Sequence, residues 1–306
     1  FNDSVSFNIV LSTNRLKALG CRVSDDGNRS YSFKLNRFES ISGLINPLHG
    51  LLDSSALDEP LIELNSDFNL IMKLIKCSKL LPSFIYHQCT YNPQLPLLDL
   101  NSVKDKLNNN ILNLEKLSEV RVPITQTDQA LFVAFRPSDG GPEHIAIVIG
   151  DLKATEDPLI RIHSECFTGD LFSSLRCDCG SQLKGAIEMM CQQNSGILIY
   201  LAQEGRGIGL LNKLRSYQLQ DQGIDTVDAN LKLGFEADER NYLVAAKILE
   251  ILAIKKVKLL TNNPEKVKSL QNYGIQVTDR VSHIFPTNPF NETYMETKKL
   301  KSGHLV

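Results

Sequence analysis

The sequence predicts an α/β (mixed α+β) fold in two parts: an α/β domain over residues 122–306 and a smaller, mainly helical or mixed domain over residues 1–121. Three observations carry this. Short β-like runs begin at Val122, helix-spaced segments then alternate with them, and the Leu-, Asn- and Ser-rich stretch before Val122 reads as helices separated by polar breaks. At 306 residues the chain is also longer than a single core usually grows.

In residues 1–121, Ser66 to Leu81 is an expected helix, with Leu70, Leu74 and Ile75 on one face. A second is expected from Ser102 to Val120, with Asp105, Glu115 and Lys116 on the wet side. No functional motif stands out in this part. After Val122, strands are expected at Ala130 to Phe135, His144 to Ile149 and Leu159 to His163, with a turn at Pro137, Ser138, Asp139, Gly140 and Gly141. Gln182 to Gln193 has helical spacing through Leu183, Ala186, Ile187 and Met190, and Gly196 to Leu201 is a short apolar strand. Leu210 to Asp221 and Asn241 to Leu252 read as helices and Lys256 to Leu260 as a strand. That strand runs into Asn263, a helix cap, with Pro264 at the first helical position and Gly274 at the end.

Composition narrows the class. With 42% hydrophobic and 22% charged residues, the chain falls among soluble globular proteins. A net charge of -2 argues against dominant attraction to nucleic acid or a membrane, and no basic stripe interleaved with aromatics is present. No run approaches the roughly 18 apolar residues of a spanning helix, and the opening FNDSVSF lacks the build of a signal peptide. Seven cysteines, an odd number, fit a reducing compartment, so a cytoplasmic protein is expected.

Three of those cysteines form the sharpest signal: Cys166, Cys177 and Cys179, a C-x10-C-x-C set followed directly by a helix. Three thiolates can hold Zn2+, leaving the fourth tetrahedral position to a water that loses its proton near neutral pH. Ordinary buried thiols are the alternative, and His163 as a fourth ligand would make the site structural. The glycines of Gly205 to Gly209 let backbone approach a ligand, with Arg206 as a planar cation, although a tight turn with a solvated Arg also fits. Thr261 and Lys266, at a strand end and in the first turn of the next helix, suit a phosphate, or a plain capped helix with an exposed Lys. Asp238 stands two residues from Arg240, either as chemistry or as a helix-start ion pair. The clusters Lys255, Lys256, Lys258 and Lys298, Lys299, Lys301 read as solvated faces.

These residues sit inside longer runs: RIHSECFTGD from Arg161, SLRCDCGSQ from Ser174, QEGRGIGLLNK from Gln203, YQLQDQG from Tyr217, LGFEADER ending at Arg240, TNNPEK from Thr261, NPFNETY from Asn288, and GHLV from Gly303. In that order over residues 122–306 they resemble GTP cyclohydrolase II. The resemblance implies one Zn2+ per subunit on Cys166, Cys177 and Cys179 plus water, Mg2+ accompanying the triphosphate, and a homodimer. It places GTP contacts on Arg161, Ile162, His163, Ser164, Glu165, Gln182, Glu204, Gly205, Arg206, Thr226, Thr261 and Lys266. Glu204 would accept from guanine N1-H and the exocyclic amine. Asp238 would act as proton acceptor, Arg240 as nucleophile toward the α-phosphate or as an electrostatic clamp, and Tyr217 would complete ring opening and deformylation. One departure is Ala202, where relatives commonly have Arg.

The implied reaction converts GTP to 2,5-diamino-6-(5-phospho-ribosylamino)pyrimidin-4(3H)-one, formate and pyrophosphate, the first committed step of riboflavin synthesis. A paralogue that stops at the formylated intermediate or uses a related nucleotide, and a non-catalytic nucleotide-binding regulator, are the alternatives. Residues 1–121 are outside the resemblance. They lack the acidic metal-binding run and Arg-x-Gly-His signature of the dihydroxybutanone phosphate synthase that often precedes the cyclohydrolase, which makes them a degenerate or unrelated accessory domain.

Overall fold

β1 (Asn8–Ser12) begins a series of short elements: α1 (Thr13–Ala18), β2 (Ser30–Lys34), α2 (Ile41–Ile45), β3 (Ile62–Glu63), α3 (Ser66–Cys77), β4 (Ser83–Tyr86) and α4 (Leu100–Asn109). The computed structural model describes residues 7–24, 29–34, 41–48, 60–88, 94, 96–109, 113–138, 140–303 and 305. Asp139 of the expected turn and His304 and Val306 of the terminal motif lie outside these residues. The strands form an antiparallel sheet in the order β3-β2-β1-β4. Its core is Ile9, Leu11, Leu16, Tyr31, Phe33 and Leu44. The N-terminal part is therefore mixed rather than mainly helical. β1 and β2 are buried at almost every position, so they lack the apolar/polar alternation by which strands are read.

α3 is the expected helix, capped by the Asn65 side chain accepting from the Asp67 N-H. The expected helix from Ser102 to Val120 is corrected. α4 ends at Asn109, and β5 (Leu114–Arg121) is an edge strand in which only Leu114 is buried. Such a strand shows no apolar face to the reader of a sequence, and its Lys116–Glu119 ion pair resembles helix-surface patterning.

The chain continues through β6 (Leu131–Pro137), β7 (His144–Gly150), β8 (Leu159–Ser164), α5 (Phe167–Asp170), α6 (Cys179–Gln193), β9 (Ser195–Leu201), α7 (Leu210–Gln220) and α8 (Thr226–Lys232). It ends with α9 (Leu243–Ile251), β10 (Lys256–Leu260), α10 (Pro264–Asn272), β11 (Gln276–Val281) and α11 (Glu292–Ser302). It packs as two compact units, Phe1–Leu107 with Ile208–Glu239, and Asn108–Gly207 with Arg240–Val306. α7 and α8 thus share a unit with the N-terminal elements, where Ile208, Leu219, Ala229, Leu233 and Phe235 form a core with Leu48 and Leu81.

The second unit is built on a seven-stranded sheet of order β11-β10-β8-β9-β7-β6-β5. β5, β6, β7 and β9 pair antiparallel, while β9, β8, β10 and β11 pair parallel. Ile160, Ile162, Ile197 and Ile199 pack with α9, and Leu159 and Leu198 with α6. This is the period-2 alternation of a sheet covered on both faces. Because β8, β9 and β10 run the same way, their C-terminal ends deliver Ser164, Leu201 and Leu260 to one edge, where ligands collect in such sheets. α10 follows the sequence reading: Asn263 caps it by accepting from the Glu265 N-H at 2.9 Å, and Gly274 beyond it has φ +83°.

Two predictions arise from this framework. Gly150 has φ +70°, and a Cβ there would lie 1.8 Å from the Asn194 carbonyl oxygen. Gly150→Ala is expected to destabilise the fold by about 2–4 kcal/mol, seen as a lower denaturant midpoint. His144 accepts from the Ala202 N-H through Nδ1, and burial lowers its pKa to about 4. His283 is also lowered to about 4, first by burial and then by Arg161. Both stay neutral when folded but take protons below about 6.5 when unfolded. Their contribution is complete above pH 6.5 and is lost as pH falls toward 4, by up to about 3 kcal/mol each. Urea midpoints measured between pH 7 and pH 4 check this, and a flat profile contradicts it.

Candidate active site

Cys166 leaves β8, and Cys179 opens α6 two residues after Cys177. The three sulfurs lie within 4.8 Å of one another, with Cys166 and Cys177 3.7 Å apart. That spacing matches the edge, about 3.8 Å, of a tetrahedron with Zn–S bonds near 2.3 Å. Gly169 closes the group from α5: a Cβ there would come 2.9 Å from the sulfurs of Cys166 and Cys177. Crowding raises two of the thiols. Cys177 is pushed up to about 11, first by its hydrogen bond with Cys166, and Cys179 is raised for the same leading cause. Three thiolates share this space only when a cation balances them, and a trithiolate donor set suits a borderline-soft dication.

His163 stands outside the sulfur group. Among the described residues the group contains the three cysteines alone, and His163 Nε2 lies 3.1 Å from an Asp170 oxygen. Asp170 also accepts from the Tyr200 hydroxyl at 2.8 Å and the Cys166 N-H at 2.9 Å, which fixes the backbone of the first cysteine.

Beside the sulfurs is a pocket lined by Arg161, His163, Ser164, Cys179, Gln182, Arg240, Thr261 and Lys266, together with Asn262, Asn263, Tyr294 and Lys298. Arg161 donates through Nη2 to Gln182 Oε1 and through Nη1 to the Leu260 carbonyl. Gln182 donates to Asp178, which also receives Lys298 Nζ at 2.5 Å. Burial lowers Arg161 to about 10, so it is still cationic at neutral pH. Lys266 is buried, donates to the Ile162 carbonyl at 2.8 Å and lies over the Tyr242 ring, as does Arg240. Four cations thus face one pocket, the arrangement a polyanion requires. Arg161 Nε, His163 Nδ1 and Ser164 Oγ in its lining are buried without protein partners.

Tyr294, Lys298, Asn262 and Asn263 were missed by the sequence reading, and Lys298 was misassigned to a solvated face. Its side chain is 11% exposed, against Asp178 at 3%, and it lies 4.5 Å from the centre of the Tyr294 ring. The i,i+4 spacing of Tyr294 and Lys298 was the available signal. Lys298→Met would leave the Asp178 carboxylate buried without its partner. Destabilisation of about 3 kcal/mol is expected, and much less for Lys298→Arg, which paired unfolding curves would read.

The other candidates are distributed as follows. The Ile162 side chain lies in the core while its carbonyl accepts from Lys266 Nζ, and Glu165 N-H donates to the Leu201 carbonyl. Glu204, expected to face guanine, is buried and accepts from the Phe167 N-H at 2.6 Å and the Gly205 N-H at 3.0 Å. It ties the glycine-rich turn to the residue after Cys166. Gly205, Arg206 and Gly207 have φ of 64°, 62° and 92°, a left-handed run that only the glycines adopt without strain. Tyr217, Thr226 and Asp238 belong to the 208–239 segment of the other unit. Tyr217 lies on α7 beneath Lys213, and Thr226 opens α8, whose cap Asp225 accepts from the N-H groups of Val227 and Asp228. Asp238 is exposed.

Fold and site define an α/β protein with a metal-competent trithiol centre beside a cationic pocket. The family profile described as GTP cyclohydrolase II matches residues 115–282, and the chain belongs to that family of enzymes. It is 57% identical over 195 residues to a GTP cyclohydrolase-2 of Azospirillum brasilense, an alignment covering 64% of this chain and 51% of the relative. A GTP cyclohydrolase-2 of Hamiltonella defensa is 52% identical over 193 residues, 63% of this chain and 98% of the relative. A riboflavin biosynthesis protein RibBA of Bacillus mycoides is 54% identical over 164 residues, 54% of this chain and 41% of that protein. The chain therefore spans about half the length of the Azospirillum relative and nearly all of the Hamiltonella one. Among the described residues no helix is long and apolar enough to cross a membrane.

Proposed function

We propose that this chain hydrolyses GTP to 2,5-diamino-6-(5-phospho-ribosylamino)pyrimidin-4(3H)-one, formate and pyrophosphate, the committed entry to riboflavin synthesis, with residues 122–306 carrying the chemistry. The observation that supports it most is the convergence of Cys166, Cys177 and Cys179 beside a pocket bearing Arg161, Arg240, Lys266 and Lys298. Zn2+ held by the three cysteines would supply Lewis acidity and an activated water for attack at purine C8.

The chain's own groups have separable tasks. The four cations take up triphosphate charge, with Mg2+ travelling with the substrate. Arg161 Nε, His163 Nδ1 and Ser164 Oγ offer hydrogen bonds to the ligand, and Thr261, Gln182 and Glu165 border it. Glu204 keeps lone pairs for guanine N1-H and the exocyclic amine while its backbone bonds hold the Gly205–Arg206 turn. Arg240 clamps or attacks the α-phosphate with Asp238 as proton acceptor, Thr226 contacts the nucleotide, and Tyr217 assists deformylation. A cytoplasmic homodimer belongs to the same reading. Product analysis by mass spectrometry tests it. One formate and one pyrophosphate per GTP are expected; a formylated product would assign an early-stopping paralogue, and intact GTP would defeat the proposal.

A further inference from the structure

The N-terminal residues outside the family match grip the run that ends in Asp238. Within their shared unit, Ser12 Oγ donates to the Gly234 carbonyl at 2.7 Å, Asn14 Nδ2 to the Phe235 carbonyl at 2.8 Å, and Arg15 Nη1 to the Lys232 carbonyl at 3.0 Å. Arg15 is itself fixed by donating to the carbonyls of Gly43 and Leu44. Gly234 has φ +92°, and a Cβ there would meet Ser12 Oγ at 2.9 Å and Arg15 Cβ at 3.2 Å, so the approach is as close as a glycine permits. Lys76, from α3 and 10% exposed, pairs with both Glu236 at 3.1 Å and Glu239 at 2.9 Å. Glu239 in turn accepts from the Glu236 N-H at 2.9 Å. The two carboxylates that flank Asp238 are therefore held on one buried-stem lysine, and three contacts upstream, to the carbonyls of Lys232, Gly234 and Phe235, fix the backbone that leads to them.

We infer that Ser12, Asn14, Arg15 and Lys76 act together as a positioning device for the Asp238 segment: Lys76 sets the 236–239 turn, and Ser12, Asn14 and Arg15 set its approach. This rests on the proposed role of Asp238 in GTP hydrolysis. Carbonyl contacts alone would serve stability; a cation shared by the two carboxylates on either side of the proton acceptor fixes the direction of that turn as well. The Hamiltonella relative is matched over 98% of its length by 63% of this chain, so this grip is an addition to the aligned catalytic region.

The test uses the full chain with Lys76→Met, Lys76→Arg and Asn14→Ala, reading GTP turnover, zinc content and amide hydrogen exchange of residues 232–240. Lys76→Met is expected to lower kcat by on the order of tenfold or more while KM and zinc content stay within about twofold. Exchange of the 236–239 amides should accelerate by about tenfold or more. Lys76→Arg should recover most of both, and Asn14→Ala should shift both less than Lys76→Met. A folded Lys76→Met chain with wild-type kcat, or one whose kcat falls while exchange is unchanged, overturns the inference. Should the unmodified chain leave GTP intact, the proposed function fails instead, and the exchange comparison alone then decides whether Lys76 holds the turn.

Discussion

Cys177→Ala is expected to empty the chain of zinc and to lower GTP turnover by at least about a thousandfold, since the Lewis acid and its activated water supply several kcal/mol of the barrier reduction. The fold should persist. The sheet core of Ile160, Ile162, Ile197 and Ile199 includes none of the three cysteines, and Cys166 contributes only one sulfur beside the α5–α6 turn. Cys191, half-buried on α6 and outside the sulfur cluster, is the internal control. Cys191→Ala should keep zinc and turnover within about twofold, because it removes a small apolar side chain from no donor set. Metal analysis and circular dichroism on the two variants separate the roles, and a Cys177→Ala chain with wild-type turnover would contradict the assignment.

Gly169→Ala is expected to have the second largest effect, and it probes geometry rather than donor identity. The added methyl would meet two sulfurs at 2.9 Å and Cys179 Cβ at 3.0 Å, closer than real Cβ contacts run, so the thiols must splay. All three thiols are kept, yet zinc affinity and turnover should both fall by on the order of a hundredfold. Thiol titration would still count the full set of cysteines. If zinc binding were unaltered in this variant, the sulfurs would not be acting as one preformed site.

What could be read beforehand follows from which forces leave a mark on sequence. The cysteine set, the Asn263–Pro264 helix start and the strands around Ile160 and Ile197 rest on local chemistry or on alternation of buried faces, and they were legible. β1, β2 and β5 were not, because five-residue strands buried at all but one end position and an edge strand exposed at all but its first residue both lack the period-2 signal. Lys298 was misread because helix position alone does not say which face meets a pocket; its burial depends on Asp178, 120 positions away. The grouping of residues 208–239 with the N-terminal elements was invisible for the same reason, being made by Ser12, Asn14, Arg15 and Lys76 at long range. Glu204 stands out by its motif, but its bonds to the Phe167 and Gly205 N-H groups depend on the turn geometry.

The most direct test is to strip the full chain of metal with a chelator, add zinc back in steps, and follow formate released from GTP. Release should rise in proportion to zinc and level off at one ion per chain. Full release from metal-free protein, or none with one zinc bound per chain, would contradict a three-sulfur centre as the seat of the reaction.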